Sequence, residues 1–127
     1  MWSLEDGVHR FQQEVFGERQ RLFRSLARDG QHPQAAALAC ADSRVVLTMV
    51  THTGPGELFL VRNAGNAIPA YHPGVVSSEA ASLEYAVEVL GVHDLVICGH
   101  TGCGAVTAAL AAAPPPHELL GGWLAVL

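Results

Sequence analysis

The sequence contains no lysine. Its seven basic residues are the arginines Arg10, Arg19, Arg21, Arg24, Arg28, Arg44 and Arg62, set against twelve acids for a formal charge of -5. Spread in this way they make no basic stripe for a phosphate backbone, so nucleic acid is not an expected partner. Long apolar runs are missing as well: none approaches the roughly 18 residues of a membrane span. The opening "MWSLEDGVHR" carries acids where a signal peptide needs positive charge. The expectation is a cytoplasmic protein with no membrane partner. Cysteine is scarce, with Cys40, Cys98 and Cys103 making an odd number and no C-x-x-C pair. That disfavours a disulfide framework or a thiol-redox motif and leaves thiolate chemistry or plain burial.

What is present fits one compact domain of 127 residues, half of them hydrophobic. From Leu4 to Arg28 the apolar residues Leu4, Val8, Phe11, Val15, Leu22 and Leu26 recur at helical spacing, as one amphipathic helix or two broken near Gly17. "AAALAC" (Ala35 to Cys40) runs apolar without alternation, as a strand buried on both faces of a parallel sheet does. Further strands are expected at "ELFLVRN" (Glu57 to Asn63) and "DLVICGH" (Asp94 to His100), with a helix from Ser77 to Leu90 between them. Ser78 and Glu79 suit its start and Gly91 its end. "AAAPPPHE" (Ala111 to Glu118) ends one helix at its prolines. The fold class is α/β, a mostly parallel central sheet flanked by helices and preceded by an extended N-terminal helix. The segment ending at Leu127 is apolar and uncapped, so the sheet is expected to be incomplete unless the chain continues or a partner completes its core.

Cys40, Asp42 and Arg44 are spaced two apart. They share a face if the strand persists through them; otherwise a loop follows Cys40 and "DSR" bends toward a helix. Either way they lie at the carboxyl end of a strand, where open α/β sheets place ligands. The third strand ends in "CGHTGCGAV", where His100 and Cys103 come together either on a first helical turn or in a tight loop. Two thiols and an imidazole from neighbouring strand ends form a borderline-soft set suited to zinc. Three protein ligands leave the fourth position for water or Asp42, a catalytic count. Cys98, inside its strand, reads as core. Asp42 and Arg44 have a plain alternative as a structural ion pair with Asp42 capping the next helix. The glycines of "GHTGCG" lack the spacing of a nucleotide-phosphate loop.

These motifs resemble those of the β-class carbonic anhydrases. The pattern Cys-x-Asp-Ser-Arg is Cys40-Ala41-Asp42-Ser43-Arg44, the pattern His-x-x-Cys is His100-Thr101-Gly102-Cys103, and "VRNAGN" (Val61 to Asn66) and "SLEYAV" (Ser82 to Val87) are similar to family segments. The resemblance implies zinc as cofactor, Cys40, His100 and Cys103 as its ligands, and Asp42 either paired to Arg44 or swung onto the metal. The implied activity is hydration of carbon dioxide to bicarbonate and a proton by a zinc-bound hydroxide, with Asp42 and Arg44 catalytic. It also implies that Gln31, Phe59 and Tyr85 line a carbon dioxide pocket contributed by the neighbouring subunit of a homodimer or higher homo-oligomer. Ala37 stands where the bicarbonate-regulated branch has tryptophan, so the sequence resembles the plant-like, open-site branch, and the resemblance implies that the family's C-terminal part is lacking. Residues 1–30 correspond to a helical arm and 31–127 to the zinc-binding core of a single domain. The competing readings are a CS2 or COS hydrolase on the same zinc site and a non-catalytic zinc protein with Asp42 as a permanent fourth ligand.

Overall fold

The computed structural model describes residues 3–113 and 115–126; Pro114 and Leu127, invoked above for a helix end and the chain end, lie outside the described residues. The chain divides into two compact units, Met1–His32 and Pro33–Leu127.

The first unit is one helical rod, α1 (Leu4–Arg10), a π-helical turn (Phe11–Phe16) and α2 (Gly17–Asp29). It starts at Ser3, whose hydroxyl accepts from Asp6 N at 3.1 Å while the Asp6 carboxylate accepts from Ser3 N at 2.9 Å. This reciprocal pair satisfies two otherwise orphaned amides. The rod ends at Gly30, where φ is +83°. Gly17 sits at helical φ and ψ of -56° and -48°, so of the two expected alternatives the unbroken helix is the one formed. Residues five apart stand about 140° from each other around an α-helix. The wider π turn aligns Phe11 with Phe16, bringing their rings to 6.3 Å, and both meet Phe23 at 5.7 and 5.6 Å. No described residue of the rod is buried.

The second unit is built on three parallel strands, β1 (Ala35–Cys40), β2 (Leu58–Asn63) and β3 (Asp94–Cys98), in the order β2-β1-β3. The central strand is the alanine-rich one, and from Ala36 to Cys40 every residue is buried. Small side chains let both faces be covered closely. Ala36 packs with Ala86 and Val92, joined by Phe59, Leu83 and Leu90; on the other face Ala37 and Ala39 pack with Leu47, joined by Val45, Leu58, Leu60 and Cys98. The outer strand β3 is different: Leu95, Val96 and Ile97 are about half exposed or more.

The helices are α3 (Leu47–Val50), α4 (Ser78–Glu84) continued by a π turn (Tyr85–Val89), α5 (Gly104–Ala109) and α6 (Glu118–Leu124). Three boundaries differ from expectation. Ser77, not Ser78, caps α4, because Ser77 is extended and its hydroxyl accepts from Ala80 N at 3.1 Å. "DSR" forms a turn closed by Val45 N donating to Asp42 O at 2.9 Å, and helix begins only at Leu47. The helix after Cys103 stops at Ala109, ahead of the proline run that cannot continue it. No helix among the described residues is long and apolar enough to cross a membrane.

Leu38, 1% exposed, is the largest fully buried side chain among the described residues. Leu38→Ala is expected to destabilise the chain by about 2–5 kcal/mol in urea unfolding. A loss below about 1 kcal/mol would mean that β1 is not the core of this unit.

Candidate metal centre

β1 and β3 run parallel and end side by side, so the loops leaving them share the carboxyl edge of the sheet. Cys40 is the last residue of β1. After Cys98 the chain turns through Gly99–Gly102, with Gly102 at φ +64°, and Cys103 caps α5 in an extended conformation. Of the two arrangements open for His100 and Cys103, the tight loop is the one present. The ligand atoms of Cys40, His100 and Cys103 all lie within 4.8 Å of one another, and both cysteines are buried.

The chemistry of this trio fits a metal. Two thiolates about 2.3 Å from a tetrahedral zinc ion lie ~3.8 Å apart, and the Sγ atoms of Cys40 and Cys103 are 3.8 Å apart. His100 Nδ1 is 3.1 Å from the Thr101 carbonyl, which can only accept, so Nδ1 carries the proton and Nε2 keeps a lone pair. That Nε2 is buried with no hydrogen-bond partner. A buried imidazole lone pair without a partner beside two thiols suits metal ligation, and the Thr101 carbonyl holds its tautomer. Burial raises the Cys40 thiol's pKa, but the hydrogen bonds it accepts, first those from the amides of Asp42 and Gly65, outweigh this and lower it to about 7. A thiolate is thus accessible at neutral pH.

Asp42 and Arg44 do not share a strand face with Cys40, since the strand ends there. They sit in the turn that follows, tied to each other. Arg44 Nε and Nη2 donate to Asp42 Oδ1 and Oδ2 at 2.9 and 2.7 Å, and the Arg44 amide donates to Oδ1 at 3.0 Å. Arg44 Nη2 also donates to the Gly102 carbonyl at 3.1 Å, joining the turn after β1 to the loop after β3. The guanidinium holds the Asp42 carboxyl well below the usual carboxylate range, and Asp42 in turn raises Arg44. Asp42 is not among the residues that converge on the metal position; it stands paired.

Phe59 and Tyr85 meet each other, ring centroids 6.1 Å apart. They do not meet the metal group: Phe59 pairs in register with Ala36, four residues before Cys40, or about 13 Å along the strand. Gln31 is exposed and belongs to the first unit. Cys98, expected as core, is partly buried and packs with the cluster around Leu47.

Two contributors were not anticipated from the sequence. Gly65 N donates to Cys40 Sγ at 3.5 Å, and Gly65 at φ +86° adopts a conformation other residues reach only with strain. The turn that presents it is fixed by Asn63, whose amide group both donates to and accepts from Ala67, and by Trp123 Nε1 donating to the Ala64 carbonyl at 2.7 Å. Arg62 is the second, donating to the Cys40 and Asp42 carbonyls. The signal for both was the glycine and the lone arginine inside "VRNAGN".

Residues 35–127 match the family model described as carbonic anhydrase. The chain belongs to the carbonic anhydrase family. A carbonic anhydrase of Pseudomonas aeruginosa is 50% identical over 127 residues, 98% of this chain and 56% of that protein. Among solved structures, the β-carbonic anhydrase CcaA has a TM-score of 0.88 at 35% identity over 96% of this chain and 59% of its own. Tetrameric β-carbonic anhydrases from Sordaria macrospora have a TM-score of 0.81 at 30% identity, over 96% of this chain and 59% of theirs. The β-class assignment and the parallel α/β plan therefore agree with the sequence reading. The chain spans about half the length of the curated relatives it matches.

A Cβ at Gly102 or Gly99 would meet nothing within 4 Å, but only Gly102 has a positive φ. Gly102→Ala is accordingly expected to cost about 1–2 kcal/mol of stability from backbone strain, and Gly99→Ala much less. Equal costs in chemical denaturation would show that the loop's conformation does not depend on Gly102.

Proposed function

We propose that the protein catalyses the reversible hydration of carbon dioxide to bicarbonate and a proton, with zinc held by Cys40, His100 and Cys103. The observation that carries this reading is the buried, partnerless His100 Nε2 beside two thiols 3.8 Å apart, in a chain of this family. Zinc held by three protein ligands would supply a Lewis acid that lowers the pKa of bound water toward neutrality.

The chain's own residues orient the reaction. Asp42 Oδ1 already accepts two hydrogen bonds and Oδ2 one. Each carboxylate oxygen can accept two, so a lone pair on Oδ2 is left for the attacking water. Kept ionised by Arg44, Asp42 acts only as an acceptor: it fixes the water's hydrogen and so turns the oxygen lone pair toward the substrate carbon. Arg44 occupies Asp42 with a planar fork, keeping it off the metal position, and anchors to the Gly102 carbonyl so that the two ligand-bearing loops move together. This bidentate pairing supports the open, catalytic site over a closed site with Asp42 as permanent ligand.

Gln31, Phe59 and Tyr85 form the carbon dioxide pocket in this reading, Gln31 donating to a substrate oxygen and the two rings keeping the site apolar. The roughly 13 Å from Phe59 to Cys40 along the sheet supports their serving a neighbouring subunit's metal, in a homodimer or larger homo-oligomer. The chain then acts as one domain, a helical arm over residues 1–30 and a zinc-binding core over 31–127. Its unpaired cysteines fit a reducing, cytoplasmic setting.

Purified chain is expected to hold one zinc and to hydrate carbon dioxide in stopped-flow assay, with activity lost to a chelator. Arg44→Lys is expected to keep the zinc and lose at least about tenfold in kcat/KM, since a point charge cannot hold both Asp42 oxygens. One zinc per chain with no hydration would overturn the catalytic reading, and a fully active Arg44→Lys would remove Arg44 from it.

A further inference from the structure

Arg62 is the only charged residue on β2. It pairs in register with Ala39, whereas Cys40 pairs with Asn63, so alternation puts the Arg62 side chain on the sheet face opposite the Cys40 thiol. From there its guanidinium reaches past the end of β1. Nε and Nη2 donate to the Cys40 carbonyl at 3.0 and 2.8 Å, and Nη2 donates also to the Asp42 carbonyl at 2.9 Å. Pairing of β1 with β3 stops at Ala39, so these carbonyls lie where that ladder has ended. Among the described residues Arg62 has no carboxylate within ion-pair distance. In a chain of charge -5, its charge is directed at two backbone oxygens.

We propose that Arg62 is a positioning residue of the metal centre, fixing through the backbone the directions of the Cys40 thiolate and the Asp42 carboxylate together. It touches neither the metal position nor substrate. Cys40 is held from three sides: by the Gly65 amide at its sulfur, by the Ala41 amide donating to Asn63 O at 2.8 Å just after it, and by Arg62 at its carbonyl. Only the last also reaches Asp42. A planar fork with several donors can hold two carbonyls at once, which a single ammonium does less well. The inference rests on the reading of Cys40, His100 and Cys103 as metal ligands.

The test uses the full chain and the variants Arg62→Gln and Arg62→Lys, with zinc affinity measured by chelator competition, the absorption spectrum of the cobalt-substituted protein, and thermal melting of the metal-free protein. Arg62→Gln is expected to lower zinc affinity about 10–100-fold, as loss of outer-sphere support does, and to shift the cobalt bands. Its metal-free melting is expected to stay near the parent's, and Arg62→Lys is expected to recover part of the affinity. Parent-like zinc affinity and cobalt spectra in both variants would overturn the role of Arg62 while leaving the metal site standing. If Arg62→Gln fails to fold, a folded Arg62→Lys with parent-like affinity and spectrum overturns it equally. A parent chain that binds neither zinc nor cobalt would instead overturn the metal reading, and this inference with it.

Discussion

Everything at the sheet's carboxyl edge depends on β1 being held on all sides. A strand of alanines has little side-chain volume, so helices can approach both of its faces, and the two flanking ladders leave its backbone no freedom. Cys40 is where that rigid element stops. A thiolate at the last residue of a buried central strand has its position fixed before any ligand arrives, which is what a metal site of defined shape requires. His100 and Cys103 inherit their position less directly, through the end of β3 and a loop whose turn needs Gly102.

Among the described residues no carboxylate joins the group of Cys40, His100 and Cys103. Asp42 is the nearest candidate, and Arg44 takes both of its oxygens while also binding the opposite loop at Gly102. Arg62 comes from the other face of the sheet and takes the carbonyls. Two arginines thus divide the work on one short turn, one through side-chain oxygens and one through the backbone. Both are the fork-shaped cation, and in a chain without lysine no flexible ammonium stands nearby to exchange with them.

The grouping of Cys40, His100 and Cys103 and the central strand were legible because they are written in residue type: thiols and an imidazole have few other uses at adjacent strand ends, and an apolar run without alternation has few other places to go. Arg62 and Gly65 were not, because each acts on or through the backbone. A carbonyl acceptor or an amide donor has no residue signature, so the sequence showed only an arginine at a strand end and a glycine in a turn. The π turns were invisible for a related reason: over a few residues the α and π spacings predict nearly the same pattern, and in the second turn it is the Leu90 amide reaching back to Tyr85 O that separates them. Likewise the apolar run of β3 announced a strand, while its half-exposed state has no counterpart in the run itself, since apolar residues do not encode which surface covers them.

The separation between the metal group and the aromatic pair has a further consequence for the proposed activity. The three proposed ligands, with the Asp42–Arg44 pair and Arg62, come from one chain and from one edge of one sheet. Phe59 packs instead on the core around Ala36, toward the other end of the same strands, and Tyr85 meets its ring. Tyr85 is 45% exposed there, a ring that presents a surface outward as well as inward. On the proposed reading, metal binding is a property of the single chain and the apolar gas pocket a property of the assembly. Zinc affinity should then be independent of protein concentration, while turnover follows the fraction of chains that have a neighbour.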